Sequence, residues 1–335
     1  MKTTEMKGLQ RMQELAQVVN SSRSVLLFPH SRMDGDAAGS CAALCACLRR
    51  AGKQAWIFFD EMPPDNLRFL VDEFLTDDPD ILAQPELCMA VDCGEEGRFP
   101  SRKAVFYRGK RLACIDHHEG GGQFEGCCYV DPQSAACGEL VLALLLEMGA
   151  EITPFAADAL YAAIAMDTGN FRFSNTTEQT HTAVAKLYRY GLNHESVCSR
   201  LYDSERPEKL RLHSLALSQL EIFAGGRAGI VCVSQQMLSA SGAQMWESEG
   251  LNDAVRSIAG VKISALLKEE GPQTVKLSLR AKEEGEVLSI ARAFGGGGHK
   301  KAAGGTMKAT LSEARQLVMA EVCRFLSEGQ QEARL

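Results

Sequence analysis

The sequence predicts an α/β protein: a parallel sheet covered by helices, a helical connector, and a second, smaller α/β domain with a mixed sheet. Three observations lead there. In the first half, short continuous apolar runs alternate with helical patterns, as strands buried on both faces of a parallel sheet do. From residue 177 the chain turns polar and helical. Beyond residue 229, apolar and polar residues alternate, the pattern of half-buried strands. A chain of 335 residues that is 45% hydrophobic is large enough for about two cores. The expected boundaries are 1–190, 191–225 and 226–335.

The elements follow in order. An N-terminal amphipathic helix places Leu9, Met12, Leu15 and Val19 on one side, among Lys2, Glu5, Lys7, Arg11 and Glu14. It lacks the apolar core of a signal peptide. Residues 24–29 read as a strand, 37–50 as a helix ended by Gly52, and 54–59, 87–92 and 111–116 as further strands. Helices are expected over 134–148 and 154–166, with Pro154 suited to a first helical position. The polar stretch 177–223 carries Glu205, Arg206, Glu208, Lys209 and Arg211 and reads as an exposed connector. Strands over 229–234, 262–268 and 274–280, a helix over 287–294 and a last helix over 311–326 complete the chain.

Composition excludes some functions. The net charge of -7 and pI of about 5.6 lack the basic footprint of a protein that grips long duplex nucleic acid. A nucleic-acid substrate would be short and held in a local basic pocket. No apolar run approaches the roughly 20 residues of a membrane span. Twelve cysteines, none in a CxxC pair, point to reduced thiols in the cytoplasm. Cys41, Cys45 and Cys47, on an Ala-rich helix, read as small buried hydrophobes.

Four polar clusters fall at element ends: His30, Asp34 and Asp36 after the first strand; Asp92 after the strand from Leu87; Asp116, His117 and His118 after the strand from Arg111; and Asp167 closing a helix. One such Asp alone is usually a cap or turn former. However, the carboxyl ends of strands in an open parallel sheet face one crevice, so three clusters converge by construction. Five carboxylates in one crevice repel unless cations neutralise them. A mixed oxygen and imidazole shell suits Mn²⁺, with Mg²⁺, Fe²⁺ and Co²⁺ as alternatives. His181, His194 and His213, on the connector, read as non-catalytic. In the second domain Gly295, Gly296, Gly297 and Gly298 precede His299, Lys300 and Lys301. A glycine run turns backbone N–H groups toward an anion, although flexible loops use it too.

These motifs resemble those of the DHH phosphoesterases, and the Gly295-to-Gly305 segment resembles the GGGH motif of the DHH-associated C-terminal domain. The resemblance covers nearly the whole chain in motif order. It implies a Rossmann-like first domain. It also implies two Mn²⁺: one held by His30, Asp34 and Asp92, the other by Asp36, Asp92, His117 and Asp167. His118 would contact the scissile phosphate, Asp116 would orient a histidine, and Arg280, His299 and the glycines would bind the substrate's other end. Met33 stands where many relatives have Pro. The length is similar to that of the group that cleaves short oligoribonucleotides of two to five nucleotides and dephosphorylates pAp by two-metal hydroxide attack. A cyclic di-AMP or pApA phosphodiesterase and a catalytically inactive nucleotide sensor are the alternatives. A homodimer is left open.

Overall fold

The structure, a computed structural model, describes residues 2–122, 124–282 and 286–332, with side chains from residue 10 to residue 327 of these. The expected apolar role of Leu9 lies outside the described side chains. The chain forms two compact units divided between Ser204 and Glu205.

The first unit holds a six-stranded sheet: β1 (Ser24–Phe28), β2 (Gln54–Phe58), β3 (Leu75–Thr76), β4 (Leu87–Val91), β5 (Arg111–Asp116) and β6 (Cys127–Val130). Its order is β3-β2-β1-β4-β5-β6, and every pairing is parallel. The connections run outward in both directions from the β1–β4 pair, so the chain reverses direction there. Ligands bind at the carboxyl ends of strands at such a switch point, and His30 and Asp92 follow β1 and β4.

One face of this sheet packs against long helices: α1 (Lys2–Asn20) and α2 (Gly35–Arg50), and, after the single turns α3 (Arg68–Val71) and α4 (Lys103–Phe106), α5 (Cys137–Glu147) and α6 (Pro154–Asp167). The other face is closed by short turns and a phenylalanine cluster. Phe28, Phe58, Phe99, Phe106 and Phe124 lie with ring centroids 5.1–6.0 Å apart. Aromatic bulk there stands in for the long helices expected on that face.

Helix α2 is central; thirteen of its sixteen residues are buried. Its Gly, Ala, Ser and Cys residues let neighbouring backbones come close. A Cβ on Gly39 would stand 2.2 Å from the Ala159 carbonyl oxygen of α6. Cys41, Cys45 and Cys47 are buried, and burial pushes their thiols up, Cys47 to about 11. Helices α7 (Glu178–Leu187) and α8 (His194–Tyr202) complete the unit.

The second unit begins with α9 (Pro207–Leu217). The expected helical stretch ends before Glu221: residues 221–223 form strand β7 (Glu221–Phe223), because they pair with β8 (Ala228–Val233) at a sheet edge. Helices α10 (Gln235–Ser241) and α11 (Leu251–Ser257) precede β9 (Ile263–Gly271) and β10 (Thr274–Ala281). Then come α12 (Leu288–Ala293), β11 (Gly297–Gly298), β12 (Ala302–Met307) and α13 (Leu311–Glu332). The sheet order is β11-β12-β10-β9-β8-β7. It is mixed: β8 and β9 run parallel and the other pairs antiparallel. Among the described residues no helix is long and apolar enough to cross a membrane.

Replacing Gly39 by Ala forces α2 and α6 apart at a backbone contact. Overpacking of this kind costs about 1–3 kcal/mol. The expected result is a lower urea midpoint with an unchanged m-value.

Candidate active site

The site is built on backbone turns that leave ligand atoms pointing inward. Asp34 is the N-cap of α2, and its Oδ1 accepts hydrogen bonds from the Asp36 and Ala37 amides, both at 3.1 Å. Its Oδ2 remains 3.4 Å from His30 Nε2. Asp36 performs a second capping task. Helix α5 starts after Ala136, which has no side chain to cap it. Asp36 Oδ2 instead accepts the Cys137 N–H at 2.6 Å, and Oδ1 accepts those of Gly138 at 2.9 Å and the Ser40 hydroxyl at 3.1 Å. Two helix N-termini thus direct partial positive charge at this carboxylate.

Asp92 follows β4 with φ of 56°, a left-handed conformation that a non-glycine residue rarely holds outside functional sites. It is buried. Its Oδ2 lies 3.6 Å from His30 Nε2 and its Oδ1 3.4 Å from His117 Nε2. His117 Nδ1 donates to the Ser134 carbonyl at 3.2 Å, which leaves Nε2 as the inward-pointing ring nitrogen. That atom is 3.6 Å from Asp36 Oδ2 and 3.8 Å from Asp167 Oδ2.

These separations exceed a good hydrogen bond but suit ligand atoms around one shared cation, each about 2.1 Å from it. Among the described residues three such groups occur, with their atoms within 4.8 Å of one another: His30, Asp34 and Asp92; Asp36, His117 and Asp167; and Asp92, His117 and His118. His30 Nε2 and Asp92 Oδ1 are buried with no hydrogen-bond partner among the described residues. Such orphans are costly, and a bound cation removes the cost. The oxygen and imidazole donor set fits a divalent ion such as Mn²⁺, Mg²⁺, Fe²⁺ or Co²⁺.

The electrostatics reflect the crowding. Burial, together with Asp92 and Asp167, pushes Asp36 well up. Burial and Asp34 raise Asp92. Burial lifts Asp167 to about 6. Burial pulls His117 down, but its carboxylate neighbours Asp92, Asp36 and Asp167 outweigh it and raise the imidazole to about 10. Asp116 is raised by burial and lowered further by His118, with a net downward shift. Its Oδ1 accepts from His118 Nδ1 at 2.7 Å and from the His117 amide at 2.8 Å. It thereby fixes the turn and the ring of His118, which stays half-exposed at the rim.

Sequence reasoning missed Arg98, Asn175 and Arg102. Arg98 Nη1 lies 3.2 Å from His118 Nε2, so a guanidinium stands at the mouth of an acidic pocket. Asn175 Nδ2 binds the Ala135 and Asp167 carbonyls. Arg102, buried, binds the Pro29 and Phe58 carbonyls and Asp60, joining the ends of β1 and β2. No motif marks these positions, because each acts through a backbone or ring partner distant in sequence. The connector histidines stand apart: His181 stacks on Phe171, His194 contacts Tyr161 and Cys198, and His213 meets the Glu247 carbonyl.

In the second unit the glycine run is a hairpin. β11 and β12 pair, and His299, exposed, opens the turn between them, its N–H donating to the Ala302 carbonyl at 2.8 Å. A Cβ on Gly296 would lie 2.3 Å from the Gly304 carbonyl oxygen, so only glycine permits this approach. Arg280, exposed on β10, shares a hollow of about 290 Å³ with Gly297, Gly298, Gly304, Ser278 and Lys276.

The pattern of the DHH family's N-terminal domain matches residues 24–164, and that of the DHHA1 domain matches residues 231–328. The bifunctional oligoribonuclease and PAP phosphatase NrnA of Thermus thermophilus is 32% identical over 325 residues, 96% of each chain. The chain belongs to the DHH family of phosphoesterases. The family's name is spelled by Asp116, His117 and His118. The bifunctional oligoribonuclease and PAP phosphatase NrnA of Bacillus subtilis is 26% identical over 298 residues, 88% of this chain and 92% of that protein. Among solved structures, an exopolyphosphatase-related protein from Bacteroides fragilis shares the fold. It has a TM-score of 0.87 at 21% identity, covering 95% of this chain and 98% of that one.

The metal-free chain holds a proton on His117 up to about pH 10. That raised value, against an ordinary 6.5, stabilises the fold below pH 6.5 and ceases to do so as pH rises toward 10. A cation at Nε2 must expel this proton. Mn²⁺ binding at pH 7 should therefore release about one proton or more per chain and tighten as pH rises from 6 to 9. Calorimetry in buffers of different ionisation enthalpy measures the release; uptake of the metal with none would exclude His117 as a ligand.

Proposed function

We propose that the chain is a Mn²⁺-dependent phosphoesterase that cuts short oligoribonucleotides, of two to five nucleotides, to mononucleotides and dephosphorylates pAp to AMP. The observation that carries this reading is the set of ligand groups that overlap at Asp92 and His117. The names of the Thermus and Bacillus relatives support the substrate class.

In this reading one cation would be held by His30, Asp34 and Asp92, and a second by Asp36, Asp92, His117 and Asp167. When bound, the pair neutralises the carboxylates, acidifies a water and stabilises charge at phosphorus. The chain's own residues do the rest. Ser134 holds His117 in the tautomer that presents Nε2. Asp116 holds Nδ1–H of His118, so that His118 Nε2 and Arg98 face a non-bridging phosphate oxygen. Hydrolysis forms a bond from the water oxygen to phosphorus and breaks the ester bond, and a proton passes to the leaving oxygen. Arg280, His299 and the backbone of Gly295, Gly296, Gly297 and Gly298 bind the nucleotide away from the reaction.

Substrates that need that grip should separate from one that does not. In a His299→Ala variant, kcat/KM should fall at least ten-fold for pAp and pApA, yet stay within about two-fold for bis-p-nitrophenyl phosphate. Mn²⁺ content should be unchanged. Equal losses on both substrates would move His299 into the chemistry. The wild-type enzyme, assayed with Mn²⁺, should also prefer pAp and a five-nucleotide RNA to a 24-nucleotide RNA, cyclic di-AMP and pyrophosphate.

A further inference from the structure

Strand β10 presents Lys276, Ser278 and Arg280 on one face, at every second residue. Its neighbours on that face are Thr306, Gly304 and Ala302 on β12 and Lys268, Leu266 and Ser264 on β9. Helices α9, α10 and α11 cover the β8 side of this face. The β10–β12 side stays open as the hollow that contains Arg280.

Lys276 and Lys268 are direct cross-strand partners. Like charges opposite each other in an antiparallel pair destabilise a sheet. Lys276 is exposed, and neither lysine forms an ion pair among the described residues. Burial, and then the neighbouring Lys276 charge, holds the Lys268 amine below its ordinary value, while Glu249 and Glu270 offset this in part. Two facing ammonium groups with no paired carboxylate cost stability unless an anion sits between them. The floor between Lys276 and Arg280 is made largely of glycine: Gly304 and Gly305 on β12, with Gly297 and Gly298 on β11. It offers bare peptide planes for a sugar or base. Four residue steps along the strand set Lys276 about 13 Å from Arg280, farther than the two phosphates of one nucleoside.

We propose that Lys276, with Lys268 beside it, is a second phosphate subsite on the β10 face that engages an internucleotide phosphate of an oligoribonucleotide and is left empty by pAp. The subsite rests on the functional reading above and extends it: Arg280 serves every substrate, and Lys276 only the longer ones. It makes the enzyme's preference for chain length a property of one strand face.

The test uses the full-length Mn²⁺-loaded enzyme and its Lys276→Gln, Lys276→Arg and Lys268→Gln variants. Substrates are pAp, pApA and a five-nucleotide RNA at several salt concentrations. Lys276→Gln should lower kcat/KM for the five-nucleotide RNA about ten-fold, the worth of one charged hydrogen bond, through KM. It should leave pAp within about two-fold. Lys276→Arg should restore the RNA activity, and Lys268→Gln should reproduce part of the loss. The dependence of log KM on log salt for the RNA should flatten by about 0.7, one single-strand phosphate contact. Equal losses on pAp and RNA, or no loss on RNA, would overturn the subsite. A wild-type enzyme that cleaves pAp but no oligonucleotide would defeat the functional reading and the subsite with it, before any variant is made.

Discussion

Four carboxylates, those of Asp34, Asp36, Asp92 and Asp167, are gathered around two imidazoles at the switch point of a parallel sheet, and this crowding governs the first domain. Ionised side chains this close repel by several kcal/mol at the effective dielectric of a protein. Each is therefore partly answered by something fixed. Asp34 caps α2, Asp36 caps α5, His117 carries a proton in the metal-free chain, and Arg98 stands at the rim beside His118. What remains unanswered, His30 Nε2 and Asp92 Oδ1, is what a cation would bind. The left-handed backbone at Asp92 aims both of its oxygens into the site, one toward His30 and one toward His117.

The rest of the domain serves this geometry. Small residues along α2 let α6 approach at Gly39, which places Asp167, the last residue of α6, within reach of His117. Arg102 joins the strand ends beneath His30. A phenylalanine cluster rather than long helices closes the opposite face. The second domain works by different means. It concentrates cations on one strand face, beside a hairpin whose glycines make room by having no side chains.

Much of this was legible in the sequence. The apolar runs that became β1, β2, β4 and β5 have no competing periodicity, and a parallel sheet places their carboxyl ends together. That is why His30, Asp34, Asp36, Asp92, Asp116, His117 and His118 could be grouped without coordinates. Asp167 was found only because it closes a helix in a recognisable motif. The unread features share one cause: they depend on partners far apart in the chain. Asp36 caps a helix 101 residues away, so the start of α5 at Cys137 carries no local signal. Strands β7, β11 and β12 exist because a neighbour offers an edge; residues such as Gly304 and Gly305 have little strand preference of their own. Arg98 lies in a single turn with no motif around it.

The central claim is that the acidic pocket is a two-cation site with Asp92 between the cations. Anomalous diffraction at the manganese edge, from crystals soaked in MnCl₂, tests it directly. The account predicts two peaks, one against His30, Asp34 and Asp92 and the other against Asp36, Asp92, His117 and Asp167. A single peak, or peaks that do not touch Asp92, would contradict it.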